Sequence, residues 1–405
     1  MFRSRLAGVA PGRRLVAALV VQVGVLALLA LDVAASASIP VLGIGTAAAA
    51  EPTAVDLGTL GGATSKAVAL NGLGQVAGDS ETDRGATHAF RWAKGHMKDL
   101  GTLGGRDSHA VAINAAGDIT GYAQTSAGAW RAVLWPVRGR VKNLGTLGGG
   151  YSQAADLNDQ RQVVGTAERA DGTRVAFRWT PAGRMQDLGT LGGSASNAKS
   201  INGLGQVAGS SELADSNSHA FLWTAGNGLQ DLGTLGGRNS FAIAINALGQ
   251  VTGDSQTDPE APFSHAFRWT PEQGMQLLPS GYLSTHARAI GDAGDVVGSG
   301  LAGPNYGTSY ALRWALSGPV TLEQPCALFP CDSTVAADVN ADGVTVGSIT
   351  VVDGVAAARW SADGQIQYLP ELGGAVSNAV AIDASGQVAG ESQTAGGATH
   401  AVLWR

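Results

Sequence analysis

The sequence predicts an all-β protein, an eight-bladed β-propeller of four-stranded antiparallel blades. Three observations predict it. DLGTLGG stands at Asp56, Asp99, Asp187 and Asp231, and NLGTLGG at Asn143, so a unit of about 44 residues recurs. Each unit holds four short segments of small or alternating apolar residues separated by Gly-containing turns, the size and content of a propeller blade. The repeats are also permuted: the first copy opens on its fourth phrase, at Asp56, and the last stops after its third, at Trp404. Pairing the strand near Leu57 with the strand near Leu403 would complete the last sheet, close a ring and remove both free edges. A linear solenoid of the same units would need polar capping repeats, and the sequence shows none.

Residues 1–50 precede the repeats and read as an export signal or N-terminal anchor with a short linker. Arg3, Arg5, Arg13 and Arg14 form a basic start. Leu15–Leu31 is apolar apart from Gln22, and small-residue cleavage sites follow at Ala35-Ser36-Ala37 and Ala48-Ala49-Ala50. The apolar run, about 17 residues, is short for a spanning helix, which needs about 20. Arg13-Arg14 leaves a twin-arginine route open. Residues 51–405 form the second region, the repeat array.

Within a unit the first phrase is a small-residue strand ending in Asn: AVALN at Ala67, AVAIN at Ala110, AKSIN at Ala198, AIAIN at Ala242. Ala opens it in every copy, as expected where backbones pass closely. Asn-x-x-Gly follows, as in Asn71–Gly74, and fits a hairpin on a type I turn with Gly in the left-handed position. Repeat three has Arg161 there, at a cost of about 1–2 kcal/mol for a non-Gly residue. A GQVAG-like strand comes next, then HAFRW or a variant. The eight copies of that strand, from His88–Trp92 to His400–Trp404, number the repeats one to eight. Phe and Trp share one face of it by the period of two, and burying each Trp is worth on the order of 2–3 kcal/mol. The fourth strand carries Asp-Leu-Gly. Thr-Leu-Gly-Gly then crosses to the next unit, its glycines allowing a tight path. QLLPSGY at Gln276 and YLPELGG at Tyr368 stand for this phrase in degenerate copies. Repeat seven carries an insertion, CALFPC, whose Cys326 and Cys331 are expected to form a disulfide in an exported protein.

Composition narrows the function. The 405 residues include 59 Gly, 44% are hydrophobic and 14% charged, and the net charge is −6. No basic cluster follows residue 14, which excludes phosphate-neutralising nucleic-acid binding. Membrane attachment is expected only if the N-terminal segment is retained.

These phrases resemble the HAF-repeat family of bacterial probable extracellular repeat proteins. His88-Ala89-Phe90, His219-Ala220-Phe221 and His265-Ala266-Phe267 carry the triplet, and DLGTLGG and the Asn-ending strand fit the pattern. The resemblance covers almost everything after residue 55. It implies export, to the periplasm or the medium of a bacterium, and a repetitive β-fold. It brings no catalytic residues to carry over.

Candidate chemistry is sparse. The triplet His is present only at His88, His219, His265 and His400, which a metal ring would not tolerate. The Asn series reads as turn chemistry. GTLGG lacks the Lys-Ser/Thr of a phosphate loop, and neither GxSxG nor HExxH appears. Asp107, Asp83 and Asp258 are too sparse for calcium. Asp215, Glu260 and Glu323, acids unique to one copy, are the candidates for glycoside hydrolysis and read better as solvated loop charges. No cofactor is expected. The loop between the GQVAG and HAFRW strands varies most, and in a four-strand blade it emerges beside the Thr-Leu-Gly-Gly crossing. One face would then carry Arg106, Asp107, Tyr151, Arg238, Phe241 and Tyr306, the candidate binding residues. The expectation is a monomeric exported scaffold that binds an extracellular protein or glycan there. The alternatives are a propeller enzyme acting on extracellular polysaccharide and a structural or adhesive surface protein.

Overall fold

A computed structural model describes residues 51–405 apart from 261, 303–307 and 325–332. Strand β1 (Ala54–Asp56) is followed by β2 (Gly61–Leu70), β3 (Val76–Thr82), β4 (Thr87–Ala93) and β5 (His96–Asp99). β2 to β5 pair consecutively and antiparallel into one four-stranded sheet. Four more such sheets begin at Gly104–Ile113, Gly148–Leu157, Gly192–Ile201 and Ser240–Ile245. The strands from Ser284 onward, together with β1, join a twelve-stranded sheet. Within it, groups of antiparallel strands meet through single parallel bridges at Ser309–Ser333 and Val355–Val376. The protein is all-β, built of several four-stranded antiparallel sheets like a β-propeller.

β1 pairs antiparallel with the last strand, Thr399–Trp404: Ala54 faces Trp404, Val55 faces Leu403 and Asp56 faces Val402. The first strand of each repeat lies against the first strand of the next, and Gly373–Ile382 lies against β2. The apolar core is correspondingly distributed between sheets. Phe90 and Trp92 pack with Val76 and with Ala389, Ala401 and Leu403 of repeat eight. The Trp closing every HAFRW strand is buried.

The repeated phrases have visible causes. Asn71 Oδ1 accepts the Leu73 and Gln75 N–H groups at 3.1 Å, and Gly74 takes φ +66°. Arg161 takes φ +60° in the same place. A Cβ on Gly78 would stand 2.1 Å from the Lys66 carbonyl oxygen and 2.7 Å from the Phe90 ring, so GQVAG ends in Gly to let the first strand and the aromatic close in. The Asn side chain also ties repeats together. Its Nδ2 donates to the main-chain oxygen at the same position one repeat on, as from Asn71 to Asn114 at 2.9 Å and from Asn158 to Asn202 at 3.0 Å.

One alignment shifts. Phe267 faces Leu277 as Phe221 faces Asp231. Leu277, not Gln276, therefore takes the Asp place of the phrase. The crossing from there to Thr285 is one residue shorter than the crossing from Asp231 to Ser240.

Candidate binding face

The variable loops and the crossings share one face. Leu60 bridges Thr82, and the same bridge recurs at Leu103–Thr125, Leu147–Arg169 and Leu191–Leu213. The crossings are latched to the loops. Arg106 Nη2 donates to the Gly85 carbonyl at 2.6 Å, and Asp107 accepts the Thr87 N–H at 2.9 Å. Arg238 pairs with Glu260 at 2.9 Å. Tyr151 donates to Gln153 at 2.5 Å, with the Arg174 guanidinium 4.3 Å from its ring centre. Phe241 is 43% exposed. Tyr306, Cys326 and Cys331 lie outside the described residues.

The unique acids have local duties. Asp215 accepts from Asn217, and Glu323 accepts the Ile366 N–H while its carbonyl takes the Trp360 indole N–H.

The triplet histidines are clasps. Nδ1 of His88, His219 and His400 lies 2.8–3.0 Å from the phrase carboxylate of Asp99, Asp231 and Asp56. The same carboxylates accept the N–H two residues on, at Gly101, Gly233 and Gly58. Each pair fixes the outer strand and the start of the crossing. Where Val175 replaces His, Arg169 takes Asp187 at 2.6 Å. His265 faces the Leu277 slot instead of a carboxylate; burial, then the charge of His286, holds it below the ordinary histidine value. Among the described residues no three His, Cys, Asp or Glu side chains are grouped to hold a metal ion.

Two clefts open at equivalent places. The larger, about 430 Å³, is lined by Lys66, Asp79 and Glu81 of repeat one, His109 of repeat two and Glu391 and Thr399 of repeat eight. Its carboxylates are engaged. Asp79 accepts from His109 Nδ1 at 2.8 Å and Ala110 N–H at 2.9 Å, Glu81 from Ala63 N–H at 3.0 Å and Glu391 from Asn378 at 3.1 Å. His109 packs against Tyr122 and Trp130, with ring centres 5.0 and 5.6 Å away. Burial, then Asp79 and Tyr151, raises the Tyr122 hydroxyl above its ordinary value. The Asp–His pairing recurs half the repeats later, Asp254 with His286 at 2.9 Å. That hydrogen bond outweighs burial and keeps His286 above the ordinary histidine value.

The second cleft, about 240 Å³, is lined by Thr166, Arg174, Asn197, Glu212 and Phe241. It shares Thr166 and Asn197 with a cavity of about 300 Å³ that Gln153 and Lys199 also line. Of the residues expected from sequence, the structure thus brings Phe241, and Tyr151 through Arg174, to one groove. Arg106 and Asp107 serve a latch between repeats one and two, and Arg238 serves another with Glu260. Arg174, Asn197 and Lys199 escaped sequence reasoning. Lys199 left a signal: it is a cation at the second position of the phrase AKSIN, where only one other copy, with Arg288, departs from small or apolar residues.

No protein-family model and no curated protein matches the sequence. Among solved structures the chain is similar to dipeptidyl peptidase 4 of Porphyromonas gingivalis, at 12% identity and TM-score 0.51, over 87% of this chain and 58% of that one. A puromycin hydrolase matches at 13% identity and TM-score 0.50, over 76% of this chain and 54% of that one. The β-propeller domain of the Trilobed protease from Pyrococcus furiosus matches at 9% identity and TM-score 0.47, over 73% of this chain and 95% of that domain. The chain spans little more than half the length of the first two, and the likeness is one of fold alone.

Proposed function

We propose that the chain is an exported, HAF-type repeat protein whose eight repeats form a closed eight-bladed propeller and bind a glycan or protein on the loop face, without chemistry of their own. Closure is supported by the pairing of β1 with the last strand and by the contact of the last repeat's first strand with β2. Export is supported by the basic and apolar order of residues 1–50.

The observation that carries the binding reading is the cleft of about 430 Å³ built from three repeats, in which Asp79, Glu81 and Glu391 each already accept hydrogen bonds. Carboxylates anchored this way form fixed polar walls that can orient a ligand. Rigid sheets presenting variable loops suit recognition. The mature protein, recovered from the extracellular or periplasmic fraction, is tested on a glycan array and against proteins of the culture medium. Saturable binding to one of these, with no turnover of the bound glycan, is expected. Silence in both at high protein concentration would overturn the reading. Mass spectrometry of the unreduced protein is expected to find Cys326 and Cys331 joined.

A further inference from the structure

We propose that the groove spanning repeats three to five binds an acidic glycan through the carboxylate of a hexuronate residue. The inference rests on the reading above that the chain is a binding scaffold, and it adds a second site apart from the cleft at repeats eight to two. Two adjoining cavities of about 240 and 300 Å³ share Thr166 and Asn197, together a volume within the usual range of small-ligand sites, about 300–1,000 Å³.

Its charge selects an anion. Arg174 stands at the loop end and Lys199 toward the first strands, and among the described residues neither forms an ion pair. Arg174 is held over the Tyr151 ring, which orients its guanidinium without neutralising it. The carboxylates nearby are occupied. Glu212 Oε2 accepts from Ser194 N–H at 3.3 Å and from its hydroxyl at 2.7 Å. Asp156, beside the wall residue Ala155, accepts from Leu157 and Ile201 N–H and the Ser200 hydroxyl.

Its remaining groups suit a polyhydroxyl ring. Asn197, which lines both cavities, spends one Nδ2 hydrogen on Ser210 at 3.1 Å and keeps the other to donate to a sugar hydroxyl. Gln153 spends its oxygen on Tyr151, leaving its amide N–H groups to donate. Phe241, half exposed, offers an apolar face to ring C–H groups. The cleft at repeats eight to two has the opposite character, with Asp79, Glu81 and Glu391 against Lys66 and His109, and would repel the same ligand.

The test is calorimetric titration of the mature protein with a galacturonate oligomer, its methyl ester and a neutral galactose oligomer. The acid is expected to bind at least about tenfold more tightly than the ester, with affinity falling as salt rises. Lys199→Gln and Arg174→Gln are each expected to weaken it about tenfold, with Lys98→Gln, on an exposed outer strand away from both clefts, neutral. Circular dichroism and thermal unfolding establish that each variant is folded; should one not fold, the acid and ester comparison on the unaltered protein still decides. Equal binding of acid and ester, or no effect of a folded Lys199→Gln, overturns the proposal. Binding only of neutral glycans or of a protein overturns this inference and leaves the scaffold reading standing. No binding of any kind overturns both.

Discussion

His400 Nδ1 sits 3.0 Å from both carboxylate oxygens of Asp56, a residue 344 positions earlier. The same clasp joins His88 to Asp99 and His219 to Asp231 within single repeats. The start of the array therefore supplies the last sheet with the part that other repeats supply for themselves.

That relationship separates two contributions. The His400–Asp56 pair is partly exposed, so Asp56→Asn is expected to cost at most about 1 kcal/mol. Leu57, next in line, is buried against Phe90 and Leu403, and Leu57→Ala is expected to cost about 2–4 kcal/mol. Urea unfolding of the two variants measures both; equal losses would mean that the terminal strand is not packed as described.

Arg161 explains its own strained backbone. In repeat one, Gln75 abuts Gly117 of the next repeat. Repeat two has the fully buried Asp118 in place of that Gln, and repeat three answers with Arg161 in place of that Gly, its Nε 2.6 Å from Asp118. Burial raises the Asp118 carboxyl, but the bonds from Arg161, Val137 N–H and Asn114 outweigh it and hold the group below the usual carboxylate value. The stability it contributes is present above about pH 4 and is lost as pH falls through the lowered value. Arg161→Gly is expected to cost about 2–4 kcal/mol, because an unpaired buried carboxylate outweighs the relieved strain. Adding Asp118→Gln restores the Gln–Gly pairing of repeat one and should recover most of that loss. A double-mutant cycle by chemical denaturation reads the coupling; strictly additive effects would refute it.

Asp383 is a mismatch at the junction of repeats eight and one. Its Oδ1 accepts from Ser385 and Gln387 N–H as Asn71 Oδ1 does from Leu73 and Gln75, which puts Oδ2 where Asn carries Nδ2. Oδ2 is buried with no partner. Asp383→Asn supplies a donor there and is expected to stabilise by about 1–2 kcal/mol at pH 7. A lower melting temperature would show that the oxygen is needed as it stands.

Asp156 and Asp338 occupy a position that is Ala in most repeats, and burial pushes both up to about 6 against the hydrogen bonds they accept. A carboxyl raised in the folded state favours folding in its protonated form. Its contribution is complete below about pH 4 and is lost as pH rises through about 6. Each therefore removes about 3 kcal/mol of stability between those limits. Replacing both by Ala is expected to flatten the dependence over pH 4–7, followed as urea midpoint against pH. An unchanged slope would place the titration elsewhere.

The repeats made much of the fold legible. Asn and Gly at fixed offsets and Trp on one face are local demands of turns and strands, so each copy states them again. The groove was less legible. Phe241 and Tyr151 were visible as unusual residues, but Arg174, Asn197 and Lys199 meet them only because three repeats converge there. The partner of the triplet His was missed for a related reason: it lies across the sheet, in a different phrase.

By itself the sequence determined an all-β chain of four-strand units, the turns within each unit and the face on which its loops emerge, because hydrogen bonding and side-chain period act over a few residues. Tertiary structure alone decided which repeat answers Asp118 with Arg161, which carboxylates are already satisfied and which cations stay free. Those outcomes depend on contacts between residues about one repeat apart, and the repeat pattern leaves the identity of such partners open.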